Sequence, residues 1–172
     1  VHIFKSPTPE CVSLPQLNTN VWGAAFCDKY SAGMLGGFSA ADGTGAKNIM
    51  CIHGEVGGAS NYDPISETEI AASGMDYIAL GHIHKPEVLL ENRMAYAGSP
   101  EPLDMTETGP HGYFVGEIDT ASGHVTSLQF KEVCQAQYIP LVVNVTPQTT
   151  NTELSQIIAD EIRKRGAGNI YR

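Results

Sequence analysis

Two short apolar runs organise the middle of the chain. "NIMCI" (48–52) and "DYIAL" (76–80) are bounded by turn-forming residues and too short for helices, so each predicts a buried strand. Between them, Ser66 and Glu69 have the spacing of a capping box, and Gly74 stands where a helix should stop. The intervening "GEVGGASNYDP" (54–64) reads as loop. Upstream, 11–27 alternates as two strands would around a turn at Asn18–Asn20. Residues 29–40 predict a helix with Met34, Leu35 and Phe38 on one side, against the cost of three glycines. Downstream, strands are expected at 86–90, 93–97 and 112–119, with a hairpin through "DTASGH" into 124–133.

After Tyr138 the pattern changes. "YIPLVVNVT" predicts a strand, and Thr150 with Glu153 a second capping box. Leu154, Ile157, Ile158 and Ile162 then share a helical face, and Gly166 closes it. A strand, a helix and a new strand at "NIYR" suggest that 135–172 opens a separate small unit after a first domain over 1–134. The class is α/β.

Composition narrows the functions. Ten Lys and Arg against nineteen Asp and Glu give a net charge of −9, which opposes a broad nucleic-acid footprint on this chain. Nuclease chemistry survives that objection, because bound divalent cations can supply the positive charge a phosphate needs. Cys11, Cys27, Cys51 and Cys134 show no close spacing, which favours reduced thiols in a cytoplasmic protein, with Cys51 in the core. No apolar stretch approaches a membrane span and no signal peptide opens the chain. The start at Val1 and the stop within a strand-like run suggest part of something longer.

Histidines carry the candidate chemistry. His82 and His84 flank one residue, and in extended backbone they would project to the same side. With six histidines in the chain, one such pair would arise by chance in roughly one sequence in five, so the pair alone decides little. His53, however, also follows a buried-strand run, and a capped helix separates the two addresses. In a strand–helix–strand unit both strands are parallel and end at one sheet edge, where open α/β sheets bind ligands. Gly54 and Gly81, beside the histidines, would let backbone come close to such a site. Three imidazoles admit one zinc with an open position, or half of a two-metal hydrolytic site. Spacing does not choose between them.

"NIMCIHGEVGG" and "DYIALGHIHKPE" resemble the last two metal-binding motifs of the calcineurin-like metallophosphoesterases. "YAGSPEPLDMTETGPHGYFVGEID" (96–119) is similar to a stretch of the SbcD-type DNA repair exonucleases, and in particular to bacterial YhaO-like members with "HGEVGG" and a terminal "NIYR". The resemblance implies part of a two-sheet sandwich with flanking helices, followed by a small α+β cap segment. It implies that His53 and His82 bind a second metal ion and His84 a first, with manganese the expected metal for both. The family's Asp-x-His, Gly-Asp-x-x-Asp and Gly-Asn-His motifs do not occur here, so no catalytic residue is expected in this chain. His111 matches a family position and should shape the site edge. Glu55 is expected to orient a ligand or water, or to be a solvated loop carboxylate, and Ser99 to fix a turn.

The expectation is therefore a two-metal phosphodiesterase, a DNA repair nuclease working on DNA with an SbcC-like coiled-coil ATPase, with homodimerisation open. A hydrolase of nucleotides or other small phosphodiesters is a second reading, and a non-catalytic dimerisation or docking module a third. "RKR" (163–165) reads first as a solvated helix end and only secondarily as a DNA phosphate contact.

Overall fold

The computed structural model describes residues 1–28, 33–40, 45–57 and 62–172. Its centre is a six-stranded sheet. Strands β1 (Glu10–Leu14) and β2 (Thr19–Gly23) form an antiparallel pair joined by a 3-10 turn over Pro15–Leu17, with Asn18 left-handed at φ 47°. The reversal thus sits earlier than the predicted Asn18–Asn20, because Pro15 supplies a preset φ at the first turn position. Strand β3 (Lys47–His53) adds parallel to β2, followed after two short strands, β4 (Glu55–Val56) and β5 (Pro64–Ile65), by helix α1 (Glu67–Ala72). Strand β6 (Tyr77–Gly81) then lies parallel to β3, and β7 (Glu87–Leu89) and β8 (Met94–Tyr96) complete the order β1-β2-β3-β6-β8-β7.

The predicted helix boundaries hold at α1. The Ser66 side chain accepts from the Glu69 amide while the Glu69 carboxylate accepts from the Ser66 amide, and Gly74 takes φ 72° just past the end. Ile70 of the helix is buried in one core cluster with Met50, Ile52, Ile78, Leu80 and Met94 of the central strands. Each such side chain contributes about 1.5–3 kcal/mol when fully withdrawn from water. Residues 33–40 join this core through Met34 and Leu35, with Phe38 packed on it. They run as a turn rather than the predicted helix; the glycines at 33, 36 and 37 disfavour helix, and Gly33 and Gly37 sit at positive φ. Residues 29–32 of that prediction lie outside the described residues. The buried carboxylate of Asp63 accepts from the Met34 amide and so pins this turn to the loop before β5.

Cys51 is not in the core. Along β3, Asn48, Met50 and Ile52 are buried while Cys51 and His53 are exposed, because a strand alternates its side chains between two faces. The second face is partly covered by the hairpin of β9 (Gly112–Ile118) and β10 (Val125–Glu132), whose Phe114 and Leu128 share a cavity of about 230 Å³ with Ile49 and Tyr77. The hairpin turn sits directly on the start of β6: a Cβ at Gly123 would fall 2.0 Å from Asp76 Oδ1.

Beyond the hairpin, β11 (Tyr138–Ile139) pairs in parallel with β12 (Ile170–Tyr171), and α2 (Asn151–Arg165) connects them. The strand predicted over 138–146 stops after Ile139. Past Pro140, Leu141 still donates its amide to the Arg172 carbonyl at 2.7 Å, and beyond it Val142 and Val145 are exposed. Helix α2 has its capping box at Thr150 and Glu153, but Ile157 of the predicted apolar face is exposed and none of its residues is fully buried. Arg163, Lys164 and Arg165 pair with Asp160 and Glu161 one turn back.

Candidate metal centre

The site is built at the carboxyl edge of β3 and β6. Their register places His53 opposite Gly81, and the His82 ring packs edge-on against that of His53 with centroids 5.2 Å apart. Glycine keeps this approach open: a Cβ at Gly81 would lie 3.1 Å from His53 Nδ1, and the ring would have to give by a few tenths of an ångström. Gly54 is tighter, since a Cβ there would meet the Asp63 carbonyl oxygen at 2.6 Å. Phe26 packs on the other side of His53 and Tyr62 stacks on His82, with centroids 5.3 and 5.2 Å away.

The segment leaving His53 is held by Tyr96. Its hydroxyl donates to the Gly54 carbonyl and accepts from the Val56 amide, both at 3.0 Å. Burial pushes the Tyr96 phenol up, so it remains a neutral donor. Glu55, carried by this segment, points its carboxylate toward His82, with Oε2 3.8 Å from Nε2, beyond direct hydrogen-bond reach.

His82 and His84 are not on an extended strand. His82 takes φ 106° and bends the chain immediately after β6, while Ile83 turns into the core. His82 and His84 then line one groove of about 630 Å³ together with Lys85, Thr106, Glu107 and His111. His84 Nδ1 lies 2.5 Å from Glu107 Oε1. Ser99 donates its amide to the His84 carbonyl, and its hydroxyl lies 2.9 Å from His111 Nδ1. His111 is 2% exposed, and its carbonyl accepts from the Val133 and Cys134 amides. Ser99 and His111 thus tie the backbone of His84 to the hairpin.

The electrostatics suit neutral donors. Partial desolvation of the largely exposed His53 ring first, then the charges of His82 and His84, hold its imidazole below the ordinary histidine range. For Glu107, burial acts to raise the carboxyl, but the Leu103 amide and the His84 ring outweigh it and keep it low. Among the described residues no three His, Cys, Asp or Glu side chains are gathered as tightly as a metal ion requires. His53 and His82 are in ring contact and His84 is engaged by Glu107. Imidazoles with a nearby carboxylate are the kind of donors that could form part of a divalent metal's ligand set.

Sequence reasoning had no route to Glu107, Tyr62 or Phe26, whose partners are remote along the chain. Tyr96 carried a faint signal, a phenol inside a buried strand that must find a partner for its hydroxyl.

No helix among the described residues is long and apolar enough to cross a membrane. No protein-family model matches the chain. Over 179 aligned positions it is 31% identical to the uncharacterized metallophosphoesterase YhaO of Bacillus subtilis strain 168, an alignment that takes in 97% of this chain. The chain spans 43% of that relative's length. With its α/β sheet and a histidine pair at the carboxyl edge of two parallel strands, the chain is related to the metallophosphoesterases.

Proposed function

We propose that this chain supplies one wall of the active site of a phosphodiester hydrolase that uses two divalent ions, manganese in the first instance, and acts on DNA. The observation that carries the reading is the ring contact of His53 and His82 at the end of parallel strands, with His84 in the adjoining groove. His53, His82 and His84 would hold metal. Divalent ions in such a site acidify water and offset charge on the phosphate. This chain's own contribution is positional: Gly81 makes room for His53, Tyr96 fixes the turn after it, and Ser99 fixes the backbone of His84.

The net charge of −9 favours a second substrate class, a nucleotide or small phosphodiester, over an extended duplex. An SbcC-like ATPase partner and a cytoplasmic setting belong to the DNA reading. Full-length protein carrying His84→Ala should lose at least about 100-fold of its Mn²⁺-dependent activity on both linear DNA and bis(p-nitrophenyl) phosphate, while its circular dichroism is unchanged. Near wild-type turnover in that variant would refute the metal role. A wild type that cleaves the small ester and spares DNA would select the second class.

A further inference from the structure

We infer that Glu107 is a positioning residue for His84, fixing its tautomer so that Nε2 is the nitrogen presented to a metal; the inference rests on the metal reading above. An ionised carboxylate only accepts hydrogen bonds, so the 2.5 Å contact with Glu107 Oε1 requires the proton on His84 Nδ1. A neutral His84 then has its lone pair on Nε2. Carboxylates serve metal-bound histidines in this way, orienting the ring and raising its basicity.

Glu107 is held as such a role demands. Its second oxygen accepts from the Leu103 amide at 2.8 Å, and its own amide donates to the Asp104 carbonyl at 3.2 Å. Its carbonyl lies 3.4 Å from His111 Nε2. The side chain is 17% exposed, against 45% for His84. A carboxylate held at both oxygens and through its backbone, facing a half-exposed ring, differs from a surface ion pair between two mobile side chains.

The test reads the tautomer directly, by long-range ¹H–¹⁵N correlation on histidine-labelled full-length protein, alongside Mn²⁺ titration. Wild type should show His84 as the Nδ1–H form. Glu107→Ala should shift it toward Nε2–H and raise the Mn²⁺ dissociation constant by about 10–100-fold. Glu107→Gln keeps an acceptor oxygen and should restore most of the wild-type tautomer. Asp104→Ala loosens the same loop, where Asp104 Oδ1 accepts from the Thr106 amide and hydroxyl, and should leave the tautomer unchanged. If Asp104→Ala matches Glu107→Ala, or if wild-type His84 is already Nε2–H, the role assigned to Glu107 is wrong. Unaltered tautomer and affinity in Glu107→Ala, with a tightly binding wild type, would also overturn it alone. A wild type that binds no Mn²⁺ would instead overturn the metal reading on which it rests.

Discussion

His82 joins the side chain of a proposed metal ligand to a backbone conformation that L-residues avoid. At φ 106° it ends β6 and turns Ile83 inward, leaving its ring between His53 and Tyr62. Left-handed backbone costs a non-glycine residue about 1–3 kcal/mol, and such strain is retained where surrounding structure fixes it. His82→Gly and His82→Ala both remove the ring and differ only in backbone tolerance. Urea denaturation should therefore find the glycine variant more stable by about 1 kcal/mol, after allowing for its larger unfolded-state entropy. Equal stability would place the strain elsewhere.

At the scale of elements, α1 joins the core it shares with β3 and β6 through Ile70, and its capping box is its local anchor. Ser66→Ala should cost about 1 kcal/mol, read as a shift in the denaturation midpoint at constant slope. Glu69 gives this anchor a pH dependence. Its carboxyl is held below the ordinary glutamate range, first by the Ser66 hydroxyl and then by the Ser66 amide. A depressed folded-state value means that the contribution is complete above the unfolded-state value and is lost as pH falls through the folded one. Glu69→Gln should flatten that part of the acid unfolding curve. A curve superimposable on wild type would show the box contributing no pH-dependent stability. Solvent exposure keeps the effect small. These boundaries were legible in the sequence because a capping box is closed within four residues. The turn over 33–40, where a helix is expected, and the truncated strand at 138–146 show the limit of such reading. Glycine content outweighed apolar periodicity in the first, and in the second the apolar run has no partner strand beyond Leu141 among the described residues.

For the whole molecule, three imidazoles, one of them engaged by Glu107 through Nδ1, do not make a two-metal centre. Among the described residues no three His, Cys, Asp or Glu side chains are gathered to hold even one ion, and a pair of dications needs an anionic bridge besides. The 172-residue chain by itself should take up at most one Zn²⁺, through its histidines, and leave DNA intact. Calorimetric titration showing two bound Mn²⁺, with DNA cleavage by a nuclease-free preparation, would mean that the chain holds a complete site. By itself the sequence determined which local elements could form: the two buried strands, both capping boxes, the β9–β10 hairpin and the placing of His53 and His82 at strand ends. These follow from alternation, capping and turn chemistry, which act over a few residues. Only the tertiary structure decided which face Cys51 occupies, that His82 bends away from extended backbone, and that Tyr96 reaches Gly54 across 42 residues. The contact of Glu107 with His84 spans 23 residues and no periodic signal links the two. Packing of the sheet and of the 101–108 loop brings those groups together, a balance of many distant contacts that no local pattern encodes.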